Sequence, residues 1–577
     1  MAKQWQLSPV APADFLARYT AYGPAVAQML YNRGYREAEQ IELFLHPEQA
    51  VGEYDPLRFR NMAAAIDLVI EHIKRGSDIV VCGDYDADGV TSSAIMAETL
   101  RVLKGKVEVW IPSRFGEGYG LNKKIVEELA ERKVGLLITV DNGIRAKEEV
   151  ALAKSLGMDV IVTDHHEGPQ TEDEMPGCLV INPILPAEIY PYKFLCGAGV
   201  AYKFAQALIS RSTLSEEDKK ALSGRIVDLA AVGTISDCVS LSGENRLIVK
   251  QGLELMNRTP RRGLKELMEV SKLEAGSLTA WNVSWQMTPR LNAAGRIDHA
   301  NAAYALLAAT SVEEARKLAT DLNEKNIERQ RMTEELMKAG IALVEAEQMD
   351  EKLLAVTSPD LRGGTDSWPE GIIGLVAGRI AEKFSKPCFV IALSEGKIKG
   401  SGRSIEQFDL GASLEAGKDH LVRYGGHKMA CGFTVKSLED LPQFIAQVRA
   451  VAEEQLAGID LTPILKIDAA IGINDVKPAF IESLDAFLPY GQDNPEPKFV
   501  SYGVMIEDVM TMGADKRHIK FRLGGMWGVA FSKAEEWKEY KIGQRIDVVY
   551  TVCFNVFNGR RDAQLKIIDL RPAEAST

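Results

Sequence analysis

Three short clusters of acids and histidines lie between positions 79 and 166 of this 577-residue sequence, and their residue types suit one kind of chemistry. The clusters are Asp84-Tyr85-Asp86-Ala87-Asp88-Gly89, Asp141-Asn142-Gly143 and Asp164-His165-His166. Hard divalent cations prefer oxygen ligands and Mn²⁺ also accepts imidazole, so several aspartates with one histidine can hold a pair of ions. Two such ions, about 3.5 to 4 Å apart, can deprotonate a water and stabilise both oxygens of an in-line phosphoryl displacement. The clusters therefore predict a metal site that cuts phosphoesters.

The elements that must position these clusters are β-strands, because each cluster follows a β-branched apolar run. The runs are Ile79-Val80-Val81, Leu137-Ile138-Thr139-Val140 and Val160-Ile161-Val162-Thr163. Such runs are typical of buried parallel strands, and ligands bind at the carboxyl ends of the strands in an open α/β sheet. Asp84 and Asp86 would face one pocket if the first strand continues that far, since alternate residues of a strand point the same way. We then expect Gly89 to form a turn and a helix to start at Thr91.

Each motif also has a plainer structural explanation. A lone Asp-x-Asp at a strand end is more often a helix cap or a turn, and a lone His-His pair is usually incidental. The occurrence of acids after three successive strands, together with His165 and His166, favours a functional site. Asp237 also follows an apolar stretch, but its surroundings in the sequence leave a ligand role and a structural role equally open.

The composition bounds the class of protein. It is ordinarily globular, with 46% hydrophobic and 26% charged residues, and the net charge of -13 argues against a polyanion bound by global electrostatics. A focused basic groove can nevertheless coexist with an acidic exterior. The seven cysteines show no Cys-x-x-Cys pair, which indicates neither a disulfide framework nor a zinc knuckle. The scattered cysteines fit a reducing cytoplasm best. No apolar run approaches the ~20 residues of a spanning helix and no cleaved signal is evident, so we expect a soluble protein without membrane association.

The periodicity of apolar residues divides the chain into regions of different fold class. Strands alternating with helices after Met62 predict an α/β domain with a parallel sheet. A proline-free stretch from Val312 to Gln348 predicts a long helix, the α/β alternation restarts at Lys352, and short strands near the C-terminus predict a small barrel. The predicted regions are an N-terminal extension at 1-55, an α/β domain at 56-250, a helical connector at 251-348, a second α/β domain at 349-463 and a barrel at 464-577.

The three clusters resemble the successive motifs of the DHH phosphoesterase superfamily. Further motifs narrow the resemblance to the bacterial single-strand-specific exonucleases of that superfamily. These motifs are CGAGVA at 196–201, GTISDCVSL at 233–241 leading to ENR at 244–246, PRLNAAGR at 289–296, KGSGRS at 399–404, YGGH at 424–427 and PYGQDNPEP at 489–497. They follow the family's order over roughly residues 50 to 577. The resemblance implies a DHH catalytic domain, a DHHA1 substrate-binding domain after the connector, and a C-terminal OB-fold barrel.

The resemblance also implies a set of metal ligands for two Mn²⁺ or Mg²⁺ ions. These ligands are Asp84, Asp86, Asp141, His165 and Asp237. Asp141 would bridge the ions, while Asp88 and Asp164 would orient the ligands. His166 would contact the scissile phosphate or protonate the leaving oxygen. Asp141, Asp164 and His166 are therefore the predicted catalytic residues.

Substrate-binding residues are implied in two parts of the chain. They are Arg114, Arg290, Asn292, Arg296, Ser401, Arg403, Gly426 and His427. Arg403 offers a planar fork for bidentate phosphate recognition, and its neighbouring glycines let the backbone approach closely. Arg296 can instead pair with Asp298 as a structural bridge, and Gly-Gly-His alone is a weak signal because it commonly marks only a turn.

The barrel would hold the incoming strand by stacking bases on aromatic rings within a basic groove. Candidates are Trp527, Phe554, Phe557, Lys520 and Arg560. The plainer alternative is that these aromatic rings belong to the barrel core. Asp493 stands where the family has a glycine in its Gly-x-Gly-Asn-Pro turn, and aspartate tolerates the left-handed conformation better than most residues.

The predicted function is that of a metal-dependent exonuclease that degrades single-stranded DNA from the 5′ end to mononucleotides, in recombination and repair. The polarity follows from the resemblance alone, as do the expected partners, a RecQ-type helicase and single-strand-binding protein, and the expected monomeric state. One alternative is a phosphodiesterase for cyclic dinucleotides or short oligonucleotides, although such relatives generally lack the barrel. Another is an inactive DNA-binding scaffold, against which the intact acids argue.

Overall fold

The computed structural model describes residues 3–50, 54–112, 120–169, 171–258, 260–297, 301–557 and 560–573. The chain forms two compact units. The smaller unit contains Met1–Gln4, Pro289–Ala303 and Glu313–Pro463, and the larger unit contains Trp5–Thr288, Tyr304–Val312 and Ile464–Thr577. None of the helices among the described residues combines the length and the apolar character needed to cross a membrane.

The helices largely follow the predicted periodicity. The α-helices up to residue 270 are Ala13–Arg18, Pro24–Asn32, Ala38–Leu45, Pro47–Ala50, Met62–Arg75, Ala87–Val102, Lys123–Glu131, Lys147–Ser155, Gly197–Arg211, Glu216–Ser236, Gly243–Arg258 and Arg262–Val270. The later ones are Ala280–Asn282, the π-helical Val283–Met287, Thr288–Ile297, Asn301–Ala308, Val312–Glu347, Glu370–Phe384, Leu410–Ala416, Asp440–Gln455 and Pro478–Ser483. The long helix predicted from Val312 is therefore present.

The larger unit contains the expected parallel sheet. Its strands, in spatial order, are Lys106–Trp110, Asp78–Gly83, Leu136–Val140, Asp159–Thr163 and Leu179–Ile181. Gly83 pairs with Val140, and Val140 pairs with Thr163, so three neighbouring strands end at the same level. Because the acidic clusters begin at the next residue, this register brings them to one edge of the sheet.

A closed barrel forms the C-terminal part of the larger unit, as expected. Its strands, in order around the barrel, are Phe499–Met512, His518–Leu523, Met526–Ala530, Arg560–Pro572 and Arg545–Phe557. The first strand also pairs with the last, which closes the sheet, and Ala469–Ala470 adds a short parallel strand beside Phe499. Two further strands, Gln4–Leu7 and Ile464–Ile467, pair with each other.

The N-terminal helices and the barrel share one hydrophobic core, which the sequence did not indicate. Phe15, Leu30 and Phe44 lie in the same buried cluster as the barrel residues Phe499 and Phe521. The first 45 residues are therefore packed onto the barrel, and burial of these apolar side chains stabilises both segments together.

The buried Arg246 connects this shared core to the helix Gly243–Arg258. Its guanidinium donates hydrogen bonds to the carbonyl oxygens of Phe44 at 2.8 Å, Ala486 at 3.0 Å and Phe487 at 3.1 Å. In the PYGQDNPEP segment, Asn494 in turn accepts a hydrogen bond from Arg33 at 3.0 Å. Two of the family-like motifs thus act within the described structure as links between segments distant in the sequence.

The smaller unit is built on a mixed sheet. Its strands, in spatial order, are Leu421–Gly426, Ala430–Val435, Lys397–Arg403, Cys388–Ser394 and Leu354–Thr357. Only the last two run parallel, while the other neighbours are antiparallel. The helices Val312–Glu347 and Glu370–Phe384 contribute to one buried cluster of this unit, and Asp440–Gln455 contributes to another.

Candidate active site

The first acidic cluster forms a tight turn followed directly by a helix. The strand ends at Gly83, and Asp86 is the N-cap of the helix that begins at Ala87. Its Oδ1 accepts hydrogen bonds from the backbone N–H groups of Asp88 at 2.9 Å and Gly89 at 3.1 Å. The expectations that the strand continues to Asp86 and that the helix starts at Thr91 are therefore wrong, because aspartate at this position caps the helix instead.

Asp84 and Asp86 nevertheless face the same place as Asp141. One potential ligand atom from each of the three side chains lies within 4.8 Å of the others. A glycine at position 89 makes this turn possible, since a Cβ there would lie 2.5 Å from the backbone nitrogen and oxygen of Asp84. The predicted pairing of the two aspartates is thus achieved by a capped turn and a close backbone contact.

Asp141 has a backbone conformation that few residues other than glycine adopt. Its φ is +61°, and its N–H donates to the carbonyl oxygen of Thr163 at 3.0 Å. Non-glycine residues in this region are uncommon, aspartate and asparagine being the better tolerated, and such backbone strain clusters at functional sites. The strained residue lies at the end of the central strand, where it belongs to more than one possible ligand set.

Asp164 organises the turn that carries the two histidines. Its Oδ1 accepts from the backbone N–H of His165 at 2.7 Å and from Nδ1 of His166 at 2.8 Å, while Oδ2 accepts from the N–H of Ile144 at 3.0 Å. Burial favours the neutral acid, but the hydrogen bond and charge of His166, the charge of His165 and the Ile144 N–H outweigh it and hold the pKa of Asp164 below its usual value. Asp164 is therefore an ionised, orienting carboxylate.

His166 is held through one ring nitrogen by this carboxylate. Burial alone would lower the pKa of His166, but the hydrogen bond from Nδ1 to Asp164 and the charge of that carboxylate raise it to about 9. The ring is half-buried, with 40% of its side chain exposed. An imidazole in this setting can donate a hydrogen bond or a proton to an anionic ligand.

His165 joins the acids of separate elements. Its Nε2 lies 3.1 Å from Oδ1 of Asp141, 3.7 Å from Oδ2 of Asp237 and 3.8 Å from Oδ2 of Asp88. Asp237 is the C-cap of the helix Glu216–Ser236, so a residue left undecided by the sequence lies within the cluster. Nε2 of His165 is buried yet makes no hydrogen bond with any residue that the structure describes.

Asp88 has two roles in this arrangement. Its carboxylate accepts hydrogen bonds from the N–H groups of Gly197 at 2.7 Å and Ala198 at 2.8 Å, at the start of the helix Gly197–Arg211. This position is favourable for a negative charge because the helix dipole is positive there. Asp88 also forms a possible ligand set with His165 and Asp237. Its position as the third aspartate of an Asp-x-Asp-x-Asp series does not by itself predict this.

The electrostatics of the cluster favour a bound cation. Burial raises the pKa of Asp141 well above its ordinary value, and the charges of Asp88, Asp86 and Asp84 raise it further. Burial and the charges of Asp88 and Asp86 likewise raise the pKa of Asp237 to about 9. Carboxylates gathered in a buried volume repel one another unless a cation compensates them. The three overlapping ligand sets and the buried Nε2 of His165 fit divalent ions that accept oxygen and imidazole ligands.

Gly197, the first residue of the helix Gly197–Arg211, is packed closely against Asp141. A Cβ at position 197 would lie 2.5 Å from Cβ of Asp141, so Gly197→Ala must displace the aspartate or the helix. We expect Gly197→Ala to weaken Mn²⁺ binding by about 10- to 100-fold, the usual cost of disturbing groups that orient metal ligands. Isothermal titration with Mn²⁺ measures this.

The matched control is Gly224→Ala, in the exposed part of the helix Glu216–Ser236. A Cβ at position 224 would meet nothing within 4 Å. Mn²⁺ binding by this variant should equal that of the wild type. Equal affinities of all three proteins would show that Gly197 does not help to position Asp141.

The predicted substrate-binding residues lie mostly in the smaller unit. Arg114 falls outside the described residues. Ser401 pairs with Gly432, which pairs with Gly425, so the GSGRS and GGH segments lie on strands separated by one intervening strand. Nη1 of Arg403 donates to the carbonyl oxygen of Gly402 at 2.8 Å. The sheet thus brings these two motifs together, with Gly426 and His427 at the end of the outer strand.

The PRLNAAGR segment is tied to helices of the same unit. Nε of Arg290 donates to Oδ1 of Asn323 at 3.0 Å, and Nη1 of Arg296 donates to the carbonyl oxygen of Gly371 at 3.0 Å. Asn292 is half-buried. The alternative pairing of Arg296 involves Asp298, which lies outside the described residues.

The barrel candidates are paired with cations. Nζ of Lys520 lies 4.2 Å from the ring centre of Trp527, and the guanidinium carbon of Arg561 lies 3.6 Å from that of Phe554. Both rings are partly exposed, whereas the side chains of Phe557 and Arg560 fall outside the described residues. Asp493 has a φ of +58°, the left-handed conformation that its place in the turn predicts.

Three domain families match the chain in the predicted order. They are "DHH family, N-terminal domain" at residues 78–234, "DHHA1 domain" at residues 352–454 and "RecJ OB domain" at residues 467–569. The first is the parallel-sheet part, the second the mixed-sheet part and the third the barrel, which confirms the predicted fold class.

Individual relatives extend this match over nearly the whole chain. The single-stranded-DNA-specific exonuclease RecJ of Bacillus subtilis (strain 168) is 38% identical over 558 residues, covering 96% of this chain and 68% of that protein. Crystal structures of RecJ from Thermus thermophilus are similar too. The Mn²⁺ complex has a TM-score of 0.82 and 30% identity over 99% of this chain and 80% of that one. The Mg²⁺ complex has a TM-score of 0.76 and 29% identity over 99% and 79%. The chain therefore belongs to the RecJ family of DHH-type proteins.

Proposed function

We propose that this protein is a metal-dependent exonuclease that degrades single-stranded DNA from the 5′ end to mononucleotides. The observation that carries the proposal is the buried cluster at the sheet edge, in which three overlapping sets of acids and histidines lie within ligand distance. The name of the Bacillus subtilis relative supports the reaction and the substrate. The Thermus thermophilus complexes with Mn²⁺ and Mg²⁺ support these ions as the cofactors.

Five of the seven residues in the overlapping sets would hold two such ions. They are Asp84, Asp86, Asp141, His165 and Asp237. Asp141 and His165 each belong to two of the sets, but only the carboxylate offers two ligand oxygens, so Asp141 would be the bridging ligand. When bound, the ions would supply an activated water and neutralise the charge that develops on the phosphoryl oxygens.

Residues other than these metal ligands would position the substrate and move the proton. Asp164 holds the His166 ring through Nδ1, so Nε2 would be the atom that contacts the scissile phosphate or protonates the leaving oxygen. Asp88 holds the start of the helix Gly197–Arg211 beside Asp141. Arg403, with Ser401 two residues before it on the same strand, would bind a terminal phosphate.

The 5′ polarity, the role in recombination and repair, and the helper proteins rest on the family resemblance. A RecQ-type helicase would supply the single strand, single-strand-binding protein would keep it unpaired, and the enzyme would act as a monomer.

The polarity is tested with oligonucleotides blocked at one end. Purified protein with Mn²⁺ should release mononucleotides from a 3′-blocked strand and fail to degrade a 5′-blocked strand or a blunt duplex. Equal degradation of both blocked strands would overturn the 5′-end assignment. An Asp141→Ala preparation made in parallel controls for contaminating nucleases.

The role of the barrel is better tested by point variants than by deletion. Removing residues after 463 would expose Phe15, Leu30 and Phe44, which are buried against the barrel. Lys520→Gln with Trp527→Ala instead removes a cation and a ring whose centre lies 4.2 Å from Nζ. We expect about a 10- to 100-fold loss of affinity for a long strand, corresponding to one lost stacking contact, with unchanged turnover of a dinucleotide. Unchanged affinity for the long strand would contradict this role.

A further inference from the structure

Two arginines of the smaller unit have no partner among the residues that the structure describes. Arg329 lies half-buried on the helix Val312–Glu347, and Arg379 lies exposed on the helix Glu370–Phe384. The guanidinium of neither residue forms an ion pair or a hydrogen bond there, and Nε of Arg329 is buried. By contrast, the neighbouring Arg331 pairs with Glu335 at 2.8 Å. An arginine that remains unpaired while partly buried is a candidate for binding an external anion.

A buried amide without partners lies beside Arg329. Asn326 is 1% exposed, and neither its Nδ2 nor its Oδ1 makes a hydrogen bond with a described residue. It lies three residues from Arg329 and three residues from Asn323, so the three side chains are neighbours along the helix. Asn323 accepts the hydrogen bond of Arg290 at 3.0 Å, which places a further guanidinium at this part of the helix. Buried polar groups are normally satisfied, so an amide of this kind indicates a missing ligand.

The charges around Arg329 also favour a bound anion. Burial lowers the pKa of Arg329, and the positive charges of Arg379 and Arg290 lower it further. The three guanidinium groups are therefore close enough to repel one another. A bound anion would offset both this repulsion and the cost of burying the charge of Arg329.

The cluster adjoins the strand that carries the predicted phosphate-binding Arg403. Nη2 of Arg403 lies 3.4 Å from the position of a Cβ on Gly374, and Cγ lies 3.7 Å from that of a Cβ on Gly378. Arg403 therefore crosses the helix Glu370–Phe384 along its glycines, the second of which directly precedes Arg379 in the sequence. The helix that Arg403 crosses therefore also carries Arg379.

We propose that Asn326, Arg329 and Arg379 form a second phosphate subsite, which binds a backbone phosphate of the single strand away from the hydrolysed bond. The guanidinium groups supply charge and forked donors, and the amide supplies a neutral donor. This subsite rests on the proposed function, because the ligand is the strand that the enzyme degrades. The same chemistry would suit the phosphate of a released mononucleotide, so the test separates the two sources.

The test measures the salt dependence of strand binding. Arg329→Gln and Arg379→Gln are made in the full-length chain in an Asp141→Ala background, and the anisotropy of a fluorescent oligothymidine strand of about 20 nucleotides is titrated over a range of NaCl concentrations. Each lost phosphate contact should reduce the slope of log K against log[salt] by about 0.7 for a single strand. Arg331→Gln, two residues from Arg329 and ion-paired, is the matched control and should leave the slope unchanged.

The outcomes distinguish this subsite from the proposed function. Slopes of both variants equal to that of the background protein would overturn the subsite, provided that the wild type degrades the strand with Mn²⁺. A wild type that does not degrade the strand would instead overturn the proposed function. If inhibition by dTMP weakens in the variants with Asp141 intact while the slopes stay unchanged, the ligand is the product phosphate and the assignment to the strand is wrong. Reduced slopes with unchanged dTMP inhibition would support the subsite.

Discussion

Asp141→Ala is expected to lower kcat on single-stranded DNA by at least about 10³-fold, since the loss of one preorganised charged contact to the reacting centre already costs about 10²- to 10³-fold. Asp141 belongs to two of the possible ligand sets and lies 3.1 Å from Nε2 of His165, so its loss disturbs both sets at once. Initial rates with Mn²⁺ on a 3′-blocked strand measure the effect.

The control for this substitution is Asp78→Asn, at the exposed beginning of the strand that leads to Asp84. It removes a carboxylate from the opposite end of the same strand, and the rate should stay within about twofold of the wild type, as for surface substitutions in general. A rate for Asp141→Ala within about tenfold of the wild type, in a preparation free of contaminants, would contradict the metal-site assignment.

When metal is absent, Asp141 should destabilise the folded protein, although it is needed for activity when metal is bound. Burial and the charges of Asp88 and Asp86 disfavour ionised Asp141, so the neutral isostere in Asp141→Asn removes a repulsive charge. In EDTA, we expect Asp141→Asn to raise the Tm above that of the wild type. A lower Tm would show that Asp141 is retained for folding, and not for binding a cation.

Asp164→Ala is expected to reduce the free energy of unfolding by about 3–5 kcal/mol, because a buried carboxylate with several charge-assisted hydrogen bonds is removed. Its loss leaves the backbone N–H groups of His165, His166 and Ile144 without their acceptor. The His166 ring also loses its anchor on Nδ1, so the residual activity of folded protein should fall about 10- to 100-fold. Urea unfolding in EDTA measures stability without a contribution from metal binding.

Asp173→Ala, at an exposed acid in the segment that follows, is the matched control and should change stability by less than about 0.5 kcal/mol. Should Asp164→Ala unfold with the same midpoint and slope as this control, the hydrogen bonds to Asp164 would not stabilise the turn. Should it lose stability and keep full activity, Asp164 would be structural alone and His166 would not depend on it.

The parallel sheet and the barrel were predictable because their patterns are strong. Runs such as Leu136–Val140 are apolar on both faces, which is typical of strands covered on both sides, and they end at the acids that follow. The barrel strand Phe499–Met512 is harder to predict, because much of it faces solvent and its apolar residues do not alternate regularly. The strands Lys397–Arg403 and Leu421–Gly426 are hard to predict for a different reason: glycines weaken any strand signal, although here they allow close backbone approach.

The order of the motifs predicts which residues form the site, but it does not predict how these residues are arranged. Asp84 and Asp86 converge through a helix cap, and Asp141 is held at a positive φ, neither of which spacing reveals. The contact of Asp88 with the start of the helix Gly197–Arg211 spans 109 positions in the chain, so only the fold discloses it. Arg329 and Arg379 were not singled out, because an unpaired arginine cannot be distinguished from a paired one without its neighbours.

The acids at the sheet edge are proposed to hold two divalent ions at which the strand is hydrolysed, and anomalous diffraction from crystals grown with Mn²⁺ tests this most directly. We expect two peaks, with Asp84, Asp86, Asp141, His165 and Asp237 as the protein ligands and Asp141 touching both ions. An active protein whose crystals show no manganese at these residues, or manganese bound only elsewhere, would contradict the assignment.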